Sequence, residues 1–450
     1  MARLPSPPRV PGPPLIRNTI RLLRKPLEFT LACARAGDVV DMNVRFMTIY
    51  LVSHPDLIEQ VLVTKAKIFH KDVGTKSLSL VLGQGLLTSE GDFWKRQRRL
   101  AQPAFHRERV ASYGAVMVEY TERMLDAWRA GEERNVHEDM MGLTREIVAK
   151  TLFDADVQSE GSHIDEAFQA IVQRFQDAPP GVPVIGHLPT ESKRRFERAL
   201  RTLDQVIYGL VAERRAGGRD RGDLLSMLIS AEDEGGGRMS ERQIRDEALT
   251  LFLAGHETTA AALTWTFNLL TQNPGVEAKL FRELDEVLGG RAPSVADLPR
   301  LKFTDGVVHE SMRLMPPAWA IGREPLEDCE IGGYHVPKGT QVWISQYAVH
   351  RDARWFEDPE AFRPERWEND FAKKLPRYAY FPFGGGPRVC IGNAFALMET
   401  TLCLAAIARR YRVRVVSRQP LPHVAAVTLR PKEAVRVVIE ERPRPSPSPS

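Results

Sequence analysis

Cysteine is scarce, with four in 450 residues: Cys33, Cys329, Cys390 and Cys403. They are too few and too scattered for a disulfide framework or a zinc ligand set. A reducing compartment suits them, and the expectation is a cytoplasmic protein. Long apolar runs are also missing near the start. The stretch LIRNTIRLLRKPLEFTLACARAG is broken by Arg17, Arg21, Arg24, Lys25 and Pro26. A spanning helix needs about 20 mostly apolar residues, so no transmembrane anchor is expected there. The opening MARLPSPPRVPGPP lacks the apolar core of a signal peptide. No basic run is interleaved with aromatics, and the net charge is only +4 with 27% charged residues. Nucleic acid is therefore not an expected partner.

The chain is longer than a typical single domain. It nevertheless shows no internal repeat and no interdomain linker. The expected organisation is a proline-rich tail over 1–14, one domain over 15–441, and a disordered Pro/Ser tail over 442–450. DVVDMNV and FMTIYLVS read as strands, and HPDLIEQVLVTK as a helix opening at Pro55. From Trp94 to about Leu270 the pattern is helical almost throughout, with breaks near 179–189 and 217–237. A helix starts at Ser240, where Ser240 and Gln243 have capping-box spacing, and stops at Asn273-Pro274. Its middle, EALTLFLAGHETTAAALTWTFNLL, is apolar nearly all round and so belongs at the centre of the molecule. Further helices begin at Pro274, carry FTDGVVHESMRLM, and form NAFALMETTLCLAAIARRY. The segments GYHVPKGTQVWISQYAVH and AAVTLRPKEAVRVVIEER read as strands. The fold class expected is mainly α with a smaller β-rich region.

Cys390 stands in YFPFGGGPRVCIGNAFALME. A lone buried cysteine is ordinarily a small hydrophobe. Here Gly384, Gly385, Gly386 and Pro387 make a tight turn that lets backbone N–H groups face the sulfur. A helix comes next, and its N-terminal dipole favours a thiolate. Arg388 adds a cation two residues away. Such a setting suits a nucleophile or a metal ligand. A nucleophile needs a base, and no histidine lies in this segment. A phosphate loop is disfavoured, because the Lys-Ser/Thr ending is missing. One thiolate on an open metal site remains, and haem iron takes one axial cysteine.

The segment Phe383–Gly392, FGGGPRVCIG, resembles the haem-binding signature of the cytochrome P450 family. Three further motifs in the matching order carry the resemblance, which extends from about Leu15 to Glu441. In HESMR, Glu310 and Arg313 share a helix face; alone they would read as an ordinary ion pair. The resemblance implies that they bond Arg366 of FRPERW and brace the cysteine loop. In AGHETT, Glu257 and Thr258 are polar groups in apolar surroundings, costly unless used or bonded. Thr258 could simply bond back to the Ala254 carbonyl. The resemblance implies that Thr258 orients dioxygen and water and that Glu257 belongs to the proton route. His256 is given no role. In WKRQR, Trp94 and Arg98 share a face. They, with Arg323 of IGREP and Arg388, match the family's haem-propionate partners, where guanidinium groups give bidentate bonds.

The resemblance implies a soluble bacterial-type haem-thiolate monooxygenase. One haem b would be buried between the central helix and the Cys390 loop with its last helix. Cys390 would ligate the iron, with Phe383 and Gly392 flanking it. One atom of O2 would enter a hydrophobic substrate by hydroxylation or epoxidation, the implied classes being fatty acids, terpenoids and steroid-like molecules. Ala254, Ala318, Ile321 and Val427 would line the pocket, under a roof from 70–88 and 164–210. No flavin or iron–sulfur motif is seen, so electrons are expected from a ferredoxin or flavodoxin-type donor with its reductase. Arg96, Arg99, Arg107, Arg409 and Arg410 are candidate docking charges, and the chain is expected to be a monomer. The alternatives are a peroxygenase, which would replace the acid–Thr pair, a haem sensor or carrier, and a non-haem thiol enzyme.

Overall fold

The computed structural model describes residues 4–11, 16–155, 166–167, 170–171, 190–217, 221, 223–233 and 235–442. The expected break near 179–189, the roof residues 164–165, 168–169 and 172–189, and the tail residues 1–3, 12–14 and 443–450 lie outside them. The central helix runs Glu241–Gln272 and is buried on nearly every face. Its start is the expected capping box. Ser240 Oγ accepts from the Gln243 N–H at 3.2 Å, and Gln243 Oε1 accepts from the Ser240 N–H at 2.7 Å. Its end is Asn273, because Pro274 lacks the N–H that would continue the ladder. Helices Val136–Phe153, Glu191–Gly217, Lys302–Leu314 and Asn393–Arg410 pack around it. One apolar cluster spans all five.

The β-rich region lies mainly in a five-stranded sheet. Its strand order is Val39–Asp41, Ile49–Val52, Gln341–Ile344, Ile321–Pro325, Phe69–Lys71. Ile49–Val52 and Gln341–Ile344 are parallel, and the other pairs are antiparallel. The register sets Lys71 opposite Arg323, so two cations meet at the sheet edge. A three-stranded sheet joins Glu133–Asn135, Arg436–Glu441 and Tyr411–Val415. The hairpin of His423–Ala425 with Leu429–Pro431 reaches back to the central helix.

The proline-rich start is not a free tail over residues 5–10. Val10 N–H donates to Asp41 O, and Asp41 N–H donates to Pro8 O, both at 2.9 Å. His335 N–H donates to Pro5 O at 2.9 Å. Prolines lack donors but keep carbonyl acceptors, so a proline-rich strand can still cover a sheet edge. At the other end Arg442 packs inward, pairing with Asp285 at 2.7 Å.

Candidate active site

The cysteine loop is shaped by positions that only glycine can fill. Gly386 has φ +65°, and a Cβ there would stand 1.9 Å from the Leu62 carbonyl oxygen. The chain then turns so that the Cys390 N–H donates to Phe383 O at 3.0 Å. Ile321 Cδ1 would lie 3.3 Å from a Cβ on Gly384, so the sheet seats against this loop. The helix Asn393–Arg410 begins directly after Gly392.

Cys390 is exposed by surface measure, yet the protein around it is dense enough that burial raises its thiol pKa above the usual value. The residue therefore faces an internal hollow and not open water. The Gly392 N–H and Arg98 oppose that rise. This corrects one expectation: the cation acting on the sulfur is Arg98. Its guanidinium donates to Val389 O at 3.0 Å. Arg388 turns the other way, pairing with Glu90, donating to Ser89 O at 2.9 Å and stacking 3.9 Å over the buried Trp94 ring.

Behind the loop stands a saturated network. Arg313 and Glu310 are 0% exposed and meet in two bonds of 2.8 and 2.9 Å. Arg366 Nε donates to Glu310 at 3.3 Å, joined by the Trp367 indole N–H at 2.9 Å and the Arg363 backbone N–H at 3.0 Å. Arg313 also donates to the carbonyls of His350, Pro359 and Ala361. His350 Nε2 then accepts from the Phe381 N–H at 3.0 Å, tying the network to the cysteine segment. Trp367 and His350 were not singled out from the sequence. Trp367 adjoins Arg366 in the same motif, whereas nothing local marks His350.

Three cations crowd the rim of the hollow. Arg323 is buried, and its pKa is pushed down to about 10, first by burial and then by Arg388. Lys71, directly across the sheet, has its pKa lowered well below the ordinary value by burial and then by Arg323 and Arg388. Asp72 and Glu90 offset them only in part. Like charges paired across strands are destabilising, so this cluster is suited to further carboxylates. Lys71 was missed in the sequence because only sheet register brings it to Arg323.

The remaining expected site residues lie on the central helix and on the segments around Ala318 and Val427. Ala254 is exposed although Leu253 and His256 beside it are buried. Ala318 is likewise exposed between buried Pro317 and Trp319. Ile321 is half-buried and Val427 is 48% exposed. The half-buried Thr258 donates to the Ala254 carbonyl at 2.8 Å, leaving its oxygen lone pairs to accept. Glu257 is held by the C-terminal hairpin. Its Oε1 accepts from Thr428 Oγ1 at 2.8 Å and lies 3.7 Å from Arg430 Nε. Burial raises its pKa to about 6 against the opposing pull of Thr428 and Arg430. These two partners are 171 and 173 residues away in the chain, beyond any local pattern. His256 bonds the Phe252 carbonyl at 3.0 Å within its own helix.

Outside the hollow, Lys95, Arg98, Arg99, Gln102 and His106 border a surface recess of about 470 Å³. Of the expected docking charges, Arg96 pairs with Asp233, Arg409 with Glu122, and Arg410 with Asp126 and Glu122. Each is paired with a carboxylate, as Lys95 is with Asp92 at 2.8 Å. Arg107 is exposed.

A sequence profile described as Cytochrome P450 matches residues 7–436. Cyclooctatin synthase of Streptomyces melanosporofaciens is 42% identical over 410 residues, 90% of this chain and 89% of the relative. Cyclooctat-9-en-7-ol 5-monooxygenase of the same organism is 38% identical over 410 residues, 90% and 88% of the two chains. Pentalenene oxygenase of Streptomyces avermitilis is 33% identical over 431 residues, 95% and 96% of the two chains.

Proposed function

The chain belongs to the cytochrome P450 family, and on that premise we propose that this haem-thiolate monooxygenase oxidises a bulky, apolar terpenoid. The substrate class is supported by the character of the expected pocket residues. Ala254 and Ala318 are exposed beside buried neighbours, Ile321 is half-buried against the cysteine loop, and Val427 is exposed. Small apolar side chains leave room and offer no hydrogen bond, which suits a hydrocarbon skeleton recognised by shape. The relatives named for cyclooctatin and pentalenene oxidation support the same class.

The residues present fit a haem. Cys390 would ligate the iron. Arg98, Arg323, Arg388 and Lys71, with Trp94, would hold the propionates, whose charge answers the excess of cations at the rim. When bound, the haem supplies activation of O2, so that one oxygen atom enters the substrate and the other leaves as water. The chain then has three tasks. Glu310, Arg313 and Arg366 fix the loop that presents the sulfur. The apolar wall excludes water from the substrate face. Thr258 and Glu257 hold and pass protons, a role suited to a carboxyl with a pKa of about 6, close to working pH. The retained acid–Thr pair favours O2 over a peroxygenase reading.

Electrons would arrive from a separate acidic ferredoxin or flavodoxin-type protein. The recess bordered by Lys95, Arg98 and Arg99 supports docking there, because Arg98 links it to the Val389 carbonyl beside Cys390. The reading is of a cytoplasmic monomer. Among the described residues no helix is long and apolar enough to cross a membrane. The test is a panel of cyclic terpene hydrocarbons, steroids and long-chain fatty acids. Each is titrated into the haem protein while the Soret band is monitored. Tight displacement shifts with the cyclic terpenes are expected; shifts with fatty acids alone would overturn the substrate class.

A further inference from the structure

The turn between His423–Ala425 and Leu429–Pro431 is anchored on several sides. Thr428 Oγ1 donates to Glu257 Oε1 at 2.8 Å. Trp265 Nε1 donates to Leu429 O at 3.0 Å, and Trp319 Nε1 to Ala426 O at 2.9 Å. The Leu429 N–H donates to Pro317 O at 2.8 Å, which sets the turn beside exposed Ala318. Between these anchors Val427 is 48% exposed, while Thr428 and Leu429 are buried. One short turn therefore has two faces. Val427 is exposed in a turn that bonds the Pro317 carbonyl, and its neighbour Thr428 grips the carboxyl of the central helix.

The electrostatics around Glu257 make that grip consequential. Arg430 Nε at 3.7 Å is too far for a hydrogen bond but near enough to favour the anion. Helix Val136–Phe153 contributes His137, which meets Thr264 Oγ1 at 3.2 Å. Burial, with Arg430 nearby, lowers the His137 pKa to about 4, so it is neutral at working pH. On its own helix Glu257 is flanked by His256, turned to Phe252. The ionised carboxylate is thus held by one hydroxyl and one guanidinium, and both are carried by the same hairpin.

We propose that this turn is a latch: an apolar molecule seated against Val427 displaces Thr428, and the freed Glu257 carboxyl swings toward Thr258. The latch rests on the reading of Glu257 as the proton-carrying acid. It makes proton supply depend on occupancy of the pocket, which limits wasteful turnover when the pocket is empty. Thr428 and Arg430 are positioning residues in this scheme.

The experiment tracks the Glu257 carboxyl band by infrared difference spectroscopy across pH in the haem-loaded full chain, with Glu257→Gln assigning the band. Thr428→Val removes the donor and keeps the shape; an upward displacement of the Glu257 pKa by about one unit is expected. Thr428→Ser restores the original titration. Val427→Phe puts a built-in occupant on the other face of the turn and raises the same pKa without touching the carboxyl. An unmoved titration in Thr428→Val, or in Val427→Phe, overturns the latch. The underlying proton role fails separately, if Glu257→Gln leaves product formed per electron unchanged.

Discussion

Two buried glutamates divide this molecule into a fixed half and a poised half. Glu310, behind the cysteine loop, is fully buried and takes donors from Arg313, Arg366, Trp367 and the Arg363 backbone. Glu257, in the central helix, is almost as buried but has one hydroxyl in hydrogen-bond reach and one guanidinium at 3.7 Å. The same side chain, desolvated to a similar degree, becomes a structural brace where its lone pairs are filled. Where they are not, its pKa drifts up to about 6 and it becomes a group able to exchange protons. The satisfied network holds the ligand still, and the under-satisfied one leaves a proton available.

The comparison is tested most severely by emptying the brace. Glu310→Ala leaves Arg313 buried without its counter-charge, and a loss of about 3–5 kcal/mol is expected. Denaturant unfolding together with haem retention measures it. A cost near that of a surface substitution would show that the network is ornamental.

The poised half should respond in chemistry and not in stability. Glu257→Gln is expected to lower product formed per O2 consumed by about 10²-fold, with peroxide accounting for the missing electrons. Thr258→Ala should do the same to a lesser extent. Haem content should be unaffected in both, and intact coupling in both would remove the acid–Thr pair from the proton route.

The pH dependence of folding tests Glu257 next. The Glu257 pKa is about 6 in the fold against an ordinary 4.5, so the folded chain binds this proton more tightly than the unfolded one. The resulting stability is fully present below pH 4.5 and is lost as pH rises through about 6. The amount is about 2 kcal/mol. Unfolding of wild type and Glu257→Gln across that window measures it; parallel curves would refute the raised pKa.

The smallest effect belongs to the outer surface. Lys95→Glu with Arg99→Glu should slow reduction by an acidic donor about threefold at low salt, and the difference should vanish at high ionic strength. Stopped-flow reduction at two salt concentrations reads it. Equal rates at low salt would move the docking surface elsewhere.

Much of the fixed half was legible in the sequence, because its chemistry is local. The glycine turn, Cys390 and the helix after it are contiguous, and Glu310 and Arg313 lie one turn apart. The Ser240 capping box and the Asn273-Pro274 stop placed the central helix correctly for the same reason. What escaped is long-range. Lys71 meets Arg323 only through strand register. Thr428 and Arg430 reach Glu257 only after the hairpin folds back on the central helix. Proximity in sequence did not identify the cation that acts on the thiol: Arg388, two residues from Cys390, pairs with Glu90, and the charge that lowers the thiol pKa is that of Arg98 from a distant helix.

The central claim is that Cys390, held by the braced loop, binds haem iron as a thiolate. Its most direct test is the absorption spectrum of the purified, reduced protein under carbon monoxide. A strongly red-shifted Soret band, abolished by Cys390→Ser, is the expected result. An unshifted band in the wild type, or a shifted band surviving in Cys390→Ser, would contradict it.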